Sequence, residues 1–164
     1  MLFHHTFQLA FPVPYRLIAV LLLVTIVALP KDALSAGAGT FRRVTFLPGN
    51  ATIMAEVADT EQMRQRGLMF RTHLDEDKGM IFYFDSTGYH AFYMYNTRIP
   101  LSVIFLNENL RIVDIQEMGP CLELNPSASP VYAPAAACKY AIEVNPEFVL
   151  KHGIKPGGTV KIHK

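Results

Sequence analysis

Apolar and polar positions alternate with a period of mostly two residues along this chain, and the alternation becomes regular only from about residue 41 onward. Arg43-Val44-Thr45-Phe46, a turn over Leu47-Pro48-Gly49-Asn50, and Ala51 to Val57 predict a β-hairpin. Thr60 to Gly67 predicts a helix. Thr60 supplies the cap, Glu61 suits the positive end, Arg64 and Arg66 suit the negative end, and Gly67 takes the position just past the last turn. After a charged turn at Leu74 to Lys78 come four strand patterns: Met80–Phe84, Ala91–Tyr95, Leu101–Leu106 and Arg111–Met118. Asn107-Glu108-Asn109 turns between the last two. Pro120 to Ala137 is Pro-rich without a period and reads as a long surface loop. Tyr140, Ile142 and Val144 then alternate with Ala141, Glu143 and Asn145 as a further strand. A short helix from Pro146 to Gly153 and a closing strand from Thr159 to His163 complete the pattern. About eight short strands at roughly ten-residue spacing, with two short helices, predict a mainly β fold, a β-sandwich or small barrel, rather than a βαβ fold.

The first 38 residues follow another logic. Leu17 to Leu29 is an apolar run with Arg16 before it and Pro30-Lys31-Asp32 after it. As a helix it spans about 20 Å, short of the roughly 30 Å hydrocarbon core of a bilayer. Ala36-Gly37-Ala38 offers a small-residue cleavage site, so residues 1–38 read as a secretory signal peptide, with a retained N-terminal membrane anchor through residues 11–29 as the alternative. Both readings place a single β-rich domain, residues 39–164, outside the cytoplasm, in the periplasm or extracellular space or tethered to the membrane.

The chain has 15 basic and 14 acidic side chains; without Arg16, Lys31 and Asp32 the domain keeps 13 of each. That balance argues against a nucleic-acid partner, which requires clustered positive charge. An envelope protein or a small molecule is the expected partner class. In an exported chain the pair Cys121 and Cys138 is first read as a disulfide, which stabilises by about 3 kcal/mol in the chain-entropy model. Two unrelated thiols come second and a metal site last, because His73, His90, His152 and His163 are scattered. No cofactor motif is present: there is no Gly-rich dinucleotide turn, phosphate loop or nucleophile elbow.

Four ordered stretches carry a resemblance: Arg64 to Arg71 (RQRGLMFR), Gly79 to Phe84 (GMIFYF), Phe92 to Leu101 (FYMYNTRIPL) and Tyr140 to Asn145 (YAIEVN). Together they resemble the domain-of-unknown-function 192 family, small and mostly bacterial proteins often preceded by a signal peptide. The resemblance implies a compact β-sandwich with short helices and carries no activity. Three positions depart from the family pattern: Tyr93 stands at its Trp, Tyr95 at its Lys and Ser102 at its Asp, so two opposite charges are lost together. Pro146-Glu147 replaces the family's glycine after the Glu-bearing strand.

The candidate ligand-binding residues are Arg71, Tyr93, Asn96, Thr97 and Glu143. Asn96-Thr97-Arg98-Ile99-Pro100 between two apolar runs suits a hydrogen-bonded turn, or ligand-facing donors at the rim of the sheet. Arg71 presents a fork to a carboxylate, or pairs with Asp75 or Glu76 at the surface. Glu143 alternates with Ile142 and Val144 and so is expected in solvent, with a buried partnership to Arg71 or Arg98 as the alternative. Tyr93 and Tyr95 share one strand face and suit an aromatic groove. The expected function is a small ligand- or partner-binding accessory module of the envelope, with no catalytic residue assigned. A hydrolase-like enzyme built on Arg71, His90, Asn96 and Glu143 is the alternative, and a purely structural envelope protein the third reading.

Overall fold

Phe41–Leu47 (β1) and Ala51–Ala58 (β2) pair as the predicted antiparallel hairpin, with Thr45 opposite Thr52 and their hydroxyls 3.2 Å apart. The structure, a computed structural model, describes residues 39–122 and 125–163, so the segment read as signal or anchor lies outside the described residues. Among the described residues no helix is long and apolar enough to cross a membrane. Glu61–Arg66 (α1) follows, capped as expected: Thr60 Oγ1 accepts from the Met63 N–H, and the Gly67 N–H donates to the Met63 carbonyl.

Lys78–Gly88 (β3) then pairs with β2 in parallel, so one β-α-β unit is built into the sheet, a connection the residue pattern does not predict. Residues 59–77 exceed the dozen or so that a parallel connection needs, and this crossover carries α1 over one face of the sheet. The remaining elements are Phe92–Tyr93 (β4), Leu101–Leu106 (β5), Ile112–Met118 (β6), Val131–Tyr132 (β7), Cys138–Val144 (β8), Pro146–His152 (α2) and Thr159–Ile162 (β9). Asn145 caps α2 through Oδ1 to the Glu147 N–H. The expected strand at Ala91–Tyr95 shrinks to two residues because its only ladder partner is the two-residue β7.

Seven strands form one sheet in the order β6-β5-β8-β3-β2-β1-β9, and β4 and β7 form a separate ribbon. The sheet curls until its two ends meet. Ile112 N–H donates to Gly158 O, Gly157 N–H to Ile112 O and Val160 N–H to Leu110 O, at 2.8–2.9 Å. Among the described residues the fold is therefore mainly β, seven strands in a curled half-barrel, two more in a small ribbon, and two α-helices, and the sequence-based fold class holds.

Both faces of this sheet are covered by core. The concave face gathers Val44, Phe46, Ile53, Ile81, Ile104, Ile142 and Val160, closed by Phe148 of α2, whose ring lies 5.4 Å from that of Phe46. The convex face gathers Leu68, Met80, Phe82, Phe92, Met94, Leu101, Val103 and Phe105 under the crossover and the ribbon. This is why β5 reads Leu-Ser-Val-Ile-Phe-Leu with no polar alternation: all six residues are buried. Ser102 is the exception in chemistry, a fully buried hydroxyl without a hydrogen-bond partner among the described residues. A buried polar group left unpaired costs about 1–3 kcal/mol. Ser102→Ala is therefore expected to raise unfolding free energy by about 1 kcal/mol, read as a higher denaturant midpoint at unchanged slope. A lower midpoint would mean that the hydroxyl is satisfied after all.

The expected disulfide is not formed. Cys121 and Cys138 are free thiols, both buried in the convex-face core. Cys138 opens β8 opposite Gly88, while the Cys121 N–H is tied to the Thr97 carbonyl at 2.9 Å, so each is fixed by its own backbone partner. Loop spacing sets only the entropy of closure and not the Cβ geometry a bridge demands. Both residues serve as small apolar fillers, and burial pushes the Cys138 thiol up, keeping it protonated.

Candidate functional site

The central strands build the site. β8 lies between β3 and β5, which places Glu143 beside Met80 on one side and Val103 on the other, on the convex face. With both neighbours apolar and the crossover above, the carboxyl that alternation places in solvent is only 5 % exposed. Among the described residues its Oε2 has no hydrogen-bond partner. Burial alone pushes its pKa up to about 8, so the group is mostly protonated at neutral pH.

Glu143 forms part of the wall of a cavity of about 450 Å³ between α1, β3 and the segment leading into β4. Leu68, Phe82, Phe84 and Phe92 supply apolar wall, and the rings of Phe82 and Phe92 meet in a T shape with 5.0 Å between their centres. Gly67 covers the carboxyl: a Cβ at this position would stand 3.6 Å from Oε2, and its backbone (φ 46°, ψ −135°) is one that other residues avoid. Thr97, also buried, lines the same cavity and turns its hydroxyl to the Tyr95 carbonyl.

Charge is arranged at the rim. Arg64 is held by four oxygens, the carbonyls of Asp59 and Tyr83 and the carboxylates of Glu61 and Asp85, at 2.8–3.2 Å. It stitches α1 to β3 and is not available to Glu143. Hydrogen bonds from Gln65 and Arg64 hold the Glu61 carboxyl below its usual range. Tyr93 donates to the Gln65 carbonyl at 3.2 Å and closes another side of the opening. His90 also lines the cavity, stacked on Phe84 at 3.8 Å with its Nε2 2.9 Å from the Ser86 carbonyl.

The sequence-derived set is thus divided. Tyr93, Thr97 and Glu143 share the cavity with His90, whereas Arg71 and Asn96 are not part of its lining. Arg71 pairs with Glu56 of β2, its Nη2 2.6 and 2.7 Å from the two carboxylate oxygens, and not with Asp75, Glu76 or Glu143. Asn96 acts through its backbone. Its carbonyl accepts from the Phe70 N–H at 2.9 Å, and both residues hold positive φ, 55° and 65°. For Phe70 that conformation costs about 1–3 kcal/mol, so two motif stretches are clamped together at a strained joint over the convex core. Sequence reasoning missed Arg66, Phe82, Phe84 and Tyr89 as cavity residues, since only the crossover and the strand order bring them to Glu143. Among the described residues no three His, Cys, Asp or Glu side chains gather so as to hold a metal ion.

A second hollow of about 490 Å³ lies by Pro100, Met118 and Pro146, but its carboxylates Glu117 and Glu147 are exposed and Asn145 is spent as the α2 cap. The cavity over Glu143 is the one that combines apolar wall with an unsatisfied buried polar group.

These features define a class: a curled β half-barrel whose convex face is roofed by a β-α-β crossover and holds a pocket around a buried carboxyl. The chain belongs to the DUF192 family, described as Uncharacterized ACR, whose profile matches residues 44–162. Among solved structures it is similar to a Sinorhizobium meliloti 1021 protein described as a candidate transcription regulator. That match has 25% identity and a TM-score of 0.67 over 77% of this chain and 96% of that one. It is also similar to a protein of unknown function from Novosphingobium aromaticivorans DSM 12444, with 29% identity and a TM-score of 0.64 over 80% of this chain and 98% of the other. No curated protein matches the chain.

Proposed function

We propose that this protein is an exported accessory module of the cell envelope that binds a small ligand in the convex-face pocket. The observation that carries the reading is the Glu143 carboxyl, nearly fully buried and with one oxygen unpartnered, in the wall of a cavity of about 450 Å³. That volume falls within the range that small-molecule sites occupy, and an apolar wall with a few converging polar groups is their usual make-up. A buried carboxyl kept without a partner is a standing cost to the fold, which a ligand supplying that partner would offset. Export rests on the apolar run and small-residue site in residues 1–38.

The hydrolase-like alternative has less support. Of its four residues only His90 and Glu143 line the cavity, and His90 is engaged by Ser86 and Phe84. The regulator description of the Sinorhizobium protein is not carried over, because the domain has as many acidic as basic side chains and so lacks the excess that nucleic acid recruits.

A panel of small amines, carboxylates, sugars and aromatic acids screened by amide chemical shift tests the reading. Hits are expected to move Gly67, Leu68, Tyr93 and Thr97 together. If every hit maps elsewhere, or no class of compound moves these amides, the pocket is only a packing defect.

A further inference from the structure

We infer that the pocket over Glu143 selects a compact organic cation, a primary ammonium or guanidinium on an apolar or aromatic body, which enters with its charge against the Glu143 carboxylate. The inference deepens the ligand-binding reading above and depends on it. It starts from the unpartnered Oε2, which is nine-tenths buried and stands at the wall of the cavity below Gly67.

Three ligand charges can be compared. An anion could accept a bond from the protonated Glu143, but it would hold that carboxyl neutral, lose its own hydration and face the negative ring faces of an apolar wall. A neutral ligand gains one ordinary hydrogen bond from the protonated acid. A cation gains a charge-assisted bond, roughly twice as strong as a neutral one, in surroundings of low dielectric. The rings of Phe82, Phe84 and Phe92 add an aromatic wall, which attracts cations.

The other charged groups facing the cavity leave this choice open to the ligand. From α1 come Glu61, Arg64 and Arg66, from β3 comes Asp85, and from the loop before β4 comes His90. Arg64 is already neutralised by Glu61 and Asp85. Arg66 is exposed at the mouth, where solvent screens it, so the buried carboxyl dominates the interior.

Binding carries a proton balance. The acid form gives its proton to solvent, and the resulting carboxylate pairs with the incoming ammonium, which keeps its own three hydrogens. Since Glu143 titrates at about 8, removing the proton at neutral pH weakens binding by only about tenfold, and the demand disappears in more alkaline solution. Affinity for a cation must therefore rise with pH by close to tenfold per unit up to about pH 8, then level off.

Calorimetry with benzylammonium, against the neutral benzyl alcohol and the anionic benzoate, tests this on the full chain. Benzylammonium is expected to bind best, to gain about tenfold between about pH 6 and pH 7, and to release about one proton per site as judged from buffers of different ionisation enthalpy. Glu143→Gln, which keeps the shape and cannot ionise, is expected to bind it at least tenfold more weakly with a flat pH profile. A pH slope that survives unchanged in that variant overturns the assignment to Glu143. If benzyl alcohol or benzoate moves the Gly67 and Leu68 amides while benzylammonium does not, the cation assignment falls and the pocket stands. If benzylammonium binds with no pH dependence or proton release, Glu143 is not its partner and the inference is overturned. If none of the three probes moves those amides, the inference and the ligand-binding reading fall together.

Discussion

Between about pH 5 and pH 8 the folded protein is expected to lose stability on the order of 3–4 kcal/mol, and Glu143→Gln to abolish most of that loss. In the unfolded chain this carboxyl titrates near its ordinary value of 4.5, whereas in the fold burial holds it at about 8. Below the lower value it is protonated in both states and costs nothing. Above it the unfolded chain ionises freely while the native state must keep the proton, so the native state binds more protons and stability falls with rising pH. The slope approaches 1.4 kcal/mol per unit, roughly, and vanishes once the folded group ionises as well. The figure is a ceiling, because cavity water and small shifts of α1 relieve part of the desolvation. Glu61 and Asp77, whose carboxyls are held low by side-chain hydrogen bonds, act in the opposite sense and at lower pH, and both are fully exposed. Chemical denaturation of wild type and Glu143→Gln at about pH 5, 6, 7 and 8 measures the difference directly. Wild-type stability that is flat or rising across that range would mean the carboxyl has a partner or free access to water.

Gly79→Ala is expected to destabilise by about 3 kcal/mol or more, the largest effect of any single methyl in the sheet. Gly79 lies in β3 between Ala55 of β2 and Val144 of β8. A Cβ there would stand 2.5 Å from the Glu143 carbonyl oxygen, 3.1 Å from Ile53 Cδ1 and 3.2 Å from Val144 Cγ1. The first contact is with backbone in the middle of the sheet, which cannot rotate away as a side-chain tip can. A glycine inside a strand commonly marks such a close approach of two backbones. The same methyl would push on the residue that carries the buried carboxyl, so the pH slope described above should change with it. Gly119→Ala, with open space around the new methyl, serves as the control and is expected to stay within about 0.5 kcal/mol of wild type. Equal denaturation midpoints for the two variants would refute the close approach.

Much of the fold is legible in the residue pattern. Thr60 and Gly67 bracket α1 where capping chemistry places them, and the hairpin and β5 follow from period and turns. Three features are not legible, each for a physical reason. The parallel pairing of β2 with β3 depends on the crossover packing down on the sheet, which no local period encodes. The thiols stay unpaired because spacing says nothing of where two Cβ atoms point. Glu143 is buried because the rule that polar positions face water assumes one dry face, and this sheet has two. A signal was present: Gly-Met-Ile-Phe and Leu-Ser-Val-Ile-Phe-Leu are apolar on both alternating faces, so a strand lying between them has no wet side. The motif residues Arg71 and Asn96 mislead for another reason. Their positions serve a clamp of backbone and ion pair beside the pocket, and a sequence motif does not separate clamp from lining.

The bonds of Leu110 and Ile112 to Gly157, Gly158 and Val160 occupy main chain where the two margins of the sheet come together. Beyond that junction the open part of β6 is shielded as well: Asp114 Oδ2 accepts from the Ala135 N–H at 2.9 Å and Gln116 Nε2 donates to the Ala133 carbonyl. A visiting polypeptide meets this junction and these side chains before it reaches a ladder to extend, which disfavours recruitment by strand addition and the fibrous stacking that naked margins invite. At this margin a docking molecule is read by side chains.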